Sequence, residues 1–285
     1  MKNSYTKKRS AGNESVREAL HRIDLTAVKR SETTPVQIGD LTIGGNNPVV
    51  IQEMTSTPTA HIAKTVQQIR ALKRAGCRLV RVAVPDETAV AALKTLKRET
   101  GVLLVADIHF DYRLALMAIE NGVDKLRLNP GNIGSARKVR EIVASAKEHG
   151  IPIRVGVNSG SLQHDILAKY GGVTAEGLVE SALQEVLILE RAGFHGIVLS
   201  IKSPDIDFTV RANRLLSSRV RYPLHIGITE SGYGEEGIIR SIVGLGTLLL
   251  GGIGDTIRVS LTNRERVENI RVCMGLLGKL SIPFL

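Results

Sequence analysis

The sequence predicts an α/β fold, a (β/α)8 TIM barrel. Eight short β-branched runs alternate with longer helical patterns. Strict alternation makes the strands parallel and the crossovers right-handed. Eight such units in about 240 residues is the ordinary length of this fold. Polar residues also recur on one parity of the runs, as a barrel with a chemical interior requires. A doubly wound open sheet is the alternative that the same alternation allows.

In chain order, residues 1–30 are read as a polar, basic tail with a short helix, and 31–285 as the barrel domain. The tail opens "MKNSYTKKRSAGNES" and lacks the apolar stretch of a secretory signal. "VQIGDLTIGG" (36–45) places Gly39-Asp40 between two β-like runs and predicts a hairpin closing the barrel bottom. The strands follow as "PVVIQEM" (48–54), "LVRVAV" (79–84), "VLLVADIH" (102–109), "DKLRLN" (124–129), "PIRVGVN" (152–158), "GIVLSIK" (196–202), "PLHIGITE" (223–230) and "DTIRVSL" (255–261). Helical segments lie between them, such as "SARKVREIVASAKEHG" with Ser135 as N-cap and Gly150 as C-cap.

The chain has 285 residues and is 43% hydrophobic, enough for one large core. Its longest apolar run, "IIRSIVGLGTLLL" (238–250), is broken by Arg240, Ser241 and glycines and is too short for a membrane span. The expectation is a cytoplasmic protein with no membrane contact. A formal charge of +10 implies an anionic partner. Aromatics are only 3% with no tryptophan, which argues against nucleic acid and for a small phosphorylated ligand. Cys77 and Cys273 are far apart and read as buried thiols; no metal site is expected from the residues present.

The parity is consistent from strand to strand. Leu126 and Leu128 alternate with Arg127 and Asn129; Ile153, Val155 and Val157 with Arg154, Gly156 and Asn158; Ile257, Val259 and Leu261 with Arg258 and Ser260. The apolar set faces the helices and the polar set faces the barrel axis. Five cations then stand near strand ends at the mouth: Arg81, Arg127, Arg154, Lys202 and Arg258. Two unit charges about 5 Å apart repel by roughly 3 kcal/mol at an effective dielectric of 20. The acids expected on that face are Asp107 and Glu230, too few to neutralise them, so the mouth should bind an anion. Arginine forks suit phosphate oxygens; Asn129, Asn158 and Ser260 add neutral donors. The glycines of "NPGNIG" and "NSGSL" bring backbone N–H groups close.

Asp107, His109, His225 and Glu230 are the acid–base candidates, with Glu230 a proton donor or an arginine anchor and His225 a hydrogen-bonded interior residue. Lys202 carries a second reading, a Schiff-base lysine of a phosphate-binding lyase or aldolase. A non-catalytic anion-binding barrel is a third.

The ordered set "IQEMTSTPT", "LVRVAVP", "ADIHFDYRLAL", "KLRLNPGNIG", "RVGVNSGSL", "LSIKSPD", "PLHIGITESG" and "GIGDTIRVSLT" resembles the 4-hydroxy-3-methylbut-2-enyl diphosphate synthase family of the methylerythritol phosphate route. The resemblance implies a cytoplasmic oxidoreductase of isoprenoid synthesis that reductively opens 2-C-methyl-D-erythritol 2,4-cyclodiphosphate. It implies that Arg81, Arg127, Asn129, Arg154, Asn158, Lys202, Arg258 and Ser260 hold the diphosphate. Thr229, Glu230 and His109 are implied at the reacting carbons, with Glu230 the proton donor. It further implies a homodimer, a 4Fe-4S cluster in the full-length family enzyme, and reduced ferredoxin or flavodoxin as electron donor. Two departures stand out. Glu53 replaces the usual serine and Pro58 the usual aspartate. The family's C-terminal iron–sulfur domain is expected to be absent, since Cys77 and Cys273 match none of its cluster ligands. The chain by itself is therefore expected to bind the substrate weakly and not to turn it over.

Overall fold

The structure, a computed structural model, describes residues 28–262 and 265–285; most of the sequence-predicted tail lies outside the described residues. Eight parallel strands form the sheet: β3 (Val50–Met54), β4 (Leu79–Ala83), β5 (Leu103–Asp107), β6 (Lys125–Arg127), β7 (Ile153–Asn158), β8 (Ile197–Lys202), β9 (His225–Ile226) and β10 (Thr256–Ile257). Each pairs with its neighbour in sequence, β10 pairs with β3, and a parallel bridge from Leu199 to Leu224 joins β8 to β9. The ring is thereby closed, and the open doubly wound sheet is excluded.

Between the strands run α1 (Ile62–Arg74), α2 (Glu87–Thr100), α3 (Tyr112–Glu120), the short α4 (Pro130–Ile133), α5 (Ala136–Glu148), α6 (His164–Tyr170), α7 (Ala175–Arg191), α8 (Ile206–Ser217), α9 (Gly234–Leu250) and α10 (Arg266–Lys279). Their starts obey sequence chemistry. Asp86, Thr174 and Asp205 each accept a backbone N–H of the first turn of α2, α7 and α8. Ser135 occupies the N-cap of α5 but its hydroxyl makes no cap bond, and the helix ends at Glu148, with Gly150 two residues on at φ +64°.

The hairpin β1 (Val36–Ile38) and β2 (Leu41–Ile43) closes the bottom as its turn residues predict. Ile38, Leu41 and Ile43 pack against Val50, Leu79 and Val105, which point down the axis. The segment before it is tied to the same end. Arg30 and Thr33 both donate to the buried Asp255 carboxylate, at 2.7 and 3.1 Å.

Strand registers stack the inward side chains in layers drawn from alternate strands. Above the apolar floor come Leu79, Lys125, Val198 and Thr256, and then Gln52, Val105, Arg154 and His225. The next layer is Arg81, Arg127, Ser200 and Arg258. Met54, Asp107, Gly156 and Gly227 follow, and Ala83, Asn129, Lys202 and Ser260 lie above them. Sequence parity holds throughout: the intervening Val80, Leu126, Ile153, Ile201 and Ile257 are buried in the shell between sheet and helices. The strands at 223–230 and 255–261 are shorter than their patterns suggest. The ladder ends at Ile226 and Ile257.

Candidate active site at the barrel mouth

Arg81, Arg127 and Arg258 share one layer of the barrel, on β4, on β6 and just beyond β10. Each is held by a neighbour from the layer above or beside it. Arg81 Nη2 donates to Asp107 Oδ2 at 2.6 Å, and Arg127 Nη1 lies 3.5 Å from Asp107 Oδ1. Arg127 Nη2 also donates to the Gly156 carbonyl at 2.9 Å. The fit is close: a Cβ on Gly156 would sit 3.1 Å from Arg127 Nε and press the guanidinium out of place.

Asp107 organises this half of the mouth. Burial alone would raise its carboxyl. The hydrogen bond to His109 and the charges of Arg81 and Arg127 outweigh burial and hold it well below the usual carboxylate range. His109 Nε2 lies 3.3 Å from Asp107 and 3.4 Å from Arg127, with its ring half in solvent. The two contacts use one ring nitrogen, so the ring tautomer selects between donating to Asp107 and accepting from Arg127. A cavity of about 390 Å³ opens beside this group, lined by Ala83, Val84, Pro85, Asp107, His109, Phe110, Asp111 and Leu114.

The other half is anchored by Glu53, which the sequence reading noted only as a departure. Glu53 is 1% exposed and accepts from Arg258 Nε at 3.1 Å and from the Met54 backbone N–H at 2.7 Å. It replaces Glu230 as the second acid among the cations. Glu230 stands exposed at the rim with φ +50° and makes no ion pair with the arginines; Thr229 beside it is half-buried. The backbone at Glu230 is left-handed, four residues beyond the end of β9.

Asn129 does not point freely at the mouth. Its amide brackets the Gly156 peptide, Nδ2 donating to the carbonyl at 3.0 Å and Oδ1 accepting the N–H at 2.9 Å. One Nδ2 proton remains for a ligand. Asn158 and Ser260 are half-buried near the rim, and Ser231 Oγ donates to the Ser260 carbonyl at 2.9 Å.

Lys202 and Arg154 are deeper than a strand-end reading suggests. Lys202 is 7% exposed and folds downward, its Nζ 3.2 Å from His225 Nε2, through space that Gly227 leaves open. His225 Nδ1 lies 2.6 Å from Thr256 Oγ1, so the ring is the interior, hydrogen-bonded residue expected. Burial first, then the surrounding arginines, push the Lys202 amine well below its usual range; burial and Lys202 do the same to His225. Arg154 is 2% exposed with no carboxylate on it. Burial weakens its hold on its proton, as do Arg81 and Arg127.

One cation escaped the sequence reading altogether. Lys125 lies two residues before Arg127 on the same parity, is 0% exposed and points into the axis. The parity that selects Arg127 selects it too.

Neither cysteine can serve a cluster. Cys77 and Cys273 are 0% and 1% exposed, and burial raises both thiols to about 12. The Cys77 thiol donates to the Leu79 carbonyl at 3.3 Å. Among the described residues no group of three or more His, Cys, Asp or Glu is placed to hold a metal ion. The residues present therefore do not fit a 4Fe-4S cluster. No helix among the described residues is long and apolar enough to cross a membrane.

Residues 33–274 match the family model described as the GcpE TIM-barrel domain. The 4-hydroxy-3-methylbut-2-en-1-yl diphosphate synthase (flavodoxin) of Caldanaerobacter subterraneus subsp. tengcongensis is 53% identical over 253 residues, covering 89% of this chain and 71% of that protein. The protein of the same name from Ruminiclostridium cellulolyticum is 51% identical over 255 residues, covering 90% and 72%. Among solved structures, 3-dehydroquinate dehydratase from Geobacillus kaustophilus superposes with a TM-score of 0.62 over 88% of this chain and 98% of that one, at 14% identity. Sialic acid synthetase from Leptospira borgpetersenii gives 0.60 over 87% and 90%, also at 14%. At that identity the likeness is one of fold.

Proposed function

Because the chain belongs to the GcpE TIM-barrel domain family, we propose that its mouth is the substrate site of an isoprenoid-pathway 4-hydroxy-3-methylbut-2-en-1-yl diphosphate synthase, binding 2-C-methyl-D-erythritol 2,4-cyclodiphosphate. The observation that carries this reading is the layer of Arg81, Arg127 and Arg258 with Lys202 above and Arg154 below, against only two engaged carboxylates, Asp107 and Glu53. A ligand carrying two phosphoryl groups supplies the missing negative charge, and the fixed guanidinium forks supply its orientation.

In this reading Asp107 and Glu53 preset the arginines before the ligand arrives, so little reorganisation accompanies binding. Arg127, Arg154 and Arg258 take the phosphoryl oxygens, with Lys202, Asn158, Ser260 and the spare Asn129 proton completing the set. Glu230 and Thr229 stand at the rim where the carbon skeleton would emerge, and His109 faces it from the Asp107 side. Glu230, open to solvent, can take a proton from water and deliver it to a departing hydroxyl. Electrons enter through a group that this chain's cysteines do not hold, and flavodoxin, named for the relatives, is the donor proposed.

We also assign a homodimer to the chain, in a cytoplasmic setting. The outer face of α9 supports it: Ile239, Val243 and Leu250 are 60%, 49% and 48% exposed on one helical stripe.

Calorimetry with the cyclic diphosphate tests the site. Arg127→Ala should weaken binding by tenfold or more, on the order of the ~1.5–3 kcal/mol of a charged hydrogen bond. Arg98→Ala, at the far end of α2 and 70% exposed, should leave it unchanged. Equal losses in both would remove the assignment of the mouth.

A further inference from the structure

Below the mouth, the barrel axis carries polar groups with nothing to bond. Lys125 is 0% exposed and its Nζ has no partner. Gln52, also 0% exposed, leaves both Nε2 and Oε1 unpaired, and Arg154, 2% exposed, leaves Nε unpaired. The registers bring them together. Lys125 lies in the layer of Leu79, Val198 and Thr256, and Gln52 and Arg154 lie in the layer directly above.

No carboxylate occupies either layer, nor the layer of Arg81 and Arg127 above them. Asp107 is the first acid on the axis, one layer higher still, and is engaged by both of those arginines. Glu53 is engaged by Arg258. Lys125 therefore faces Arg154 as a like charge, the neighbour that after burial itself makes its proton harder to keep; for Arg154, burial comes first and then Arg81 and Arg127. A lysine can shed its proton; an arginine cannot. An ordered water would satisfy hydrogen bonds there but would leave the charge uncompensated.

We propose that Lys125, Arg154 and Gln52 form an inner anion site on the barrel axis, beneath the diphosphate mouth, for a small inorganic monoanion of the halide class. Lys125 Nζ, Arg154 Nε and Gln52 Nε2 are all donors, and a spherical ion accepts from all three without demanding lone-pair directions. Gln52 Oε1 is left to accept from Lys125. The rest of the two layers is Leu79, Val105 and Val198, with Thr256 and His225 already bonded to each other and His225 to Lys202, so the walls suit a weakly hydrated halide better than a phosphate, whose desolvation is costlier. The bound ion would set the charge on which the mouth is built: with it in place, Lys125 keeps its proton and the Arg154 charge above it is compensated.

Bromide is the probe. Crystals of the chain grown in sodium bromide should show an anomalous peak between Lys125 and Arg154. Thermal unfolding should be raised more by sodium bromide than by sodium gluconate at equal ionic strength, and Lys125→Met, which keeps the volume and removes the charge, should abolish that difference. The difference should persist when pyrophosphate saturates the mouth. No bromide peak at Lys125 overturns the proposal, as does a bromide effect that survives in Lys125→Met. A bromide effect that pyrophosphate removes also overturns it, because the halide then sits in the mouth. None of these outcomes depends on whether the mouth takes the cyclic diphosphate.

Discussion

Glu53 and Arg258 form a buried ion pair at the edge of the mouth, with Arg258 Nε 3.1 Å from Glu53 Oε1 and the carboxylate only 1% exposed. The pair fixes the guanidinium through Nε and leaves its terminal nitrogens out of the bond to Glu53, but it also subtracts one unit of positive potential from the mouth. Position and charge are separable by Glu53→Gln, which keeps an acceptor for Arg258 and removes the charge. We expect pyrophosphate affinity measured by calorimetry to rise tenfold or more, since one charge about 5–10 Å away is worth roughly 1.7–3.3 kcal/mol at an effective dielectric of 20. Glu53→Ala should lose that gain, since Arg258 is then free to turn.

Asn129 is a structural bracket before it is a ligand donor. Its amide satisfies both the N–H and the carbonyl of Gly156, and the same carbonyl accepts Arg127. Asn129→Ala leaves a buried peptide N–H without a partner, a penalty of about 1–3 kcal/mol. Urea unfolding should show that loss of stability, with Asn129→Asp recovering less than half of it because an ionised carboxylate cannot donate to the carbonyl.

Lys202 tests the rival chemistry. Its amine is pushed well below the usual lysine range by burial and by Arg154, Arg258 and Arg81, which would suit a nucleophile, yet its Nζ is turned down to His225 and not up to the mouth. Borohydride treatment with a carbonyl substrate should therefore give no adduct by mass spectrometry. A covalent adduct on Lys202 would revive the lyase reading. Lys202→Met should instead weaken pyrophosphate binding at low ionic strength more than at high, the behaviour of a point charge.

How far the fold and the mouth could be read from sequence follows from the range of each signal. Strand parity is local and period two, so it placed Arg81, Arg127, Arg154 and Arg258 on the axis correctly. The same rule covers Lys125, but it lies below the strand end, where the position of a ligand gives no reason to single it out. Glu53 is on the outward parity of β3, since Gln52 is the inward residue, and no one-strand pattern shows its carboxylate meeting Arg258 from across the β10 interface. The downward turn of Lys202 depends on the missing side chain of Gly227 on the neighbouring strand. Glu230 follows an inward strand, yet it is exposed with a left-handed backbone, and φ cannot be read from residue identity for a glutamate.

His225 gives the barrel a pH signature distinct from that of Asp107. Burial, then Lys202, Arg154, Lys125 and Arg258, hold the folded His225 well below its ordinary 6.5, with Thr256 the neutral partner on Nδ1. The unfolded chain takes up a proton below 6.5 that the folded chain does not, so folding stability falls as pH drops through that value. Each pH unit below it removes at most about 1.4 kcal/mol from this one group. Asp107 acts in a lower window: its folded carboxyl lies below its ordinary 3.8, so the stability it contributes is complete above 3.8 and is lost as pH falls below it. Urea midpoints taken from pH 7.5 to 3 should therefore show two separate declines. His225→Gln should remove the upper one and leave the lower, and Asp107→Asn the reverse. A single decline near pH 4 in the unmodified chain would mean that His225 is charged in the folded barrel, alongside Lys202 and Arg154.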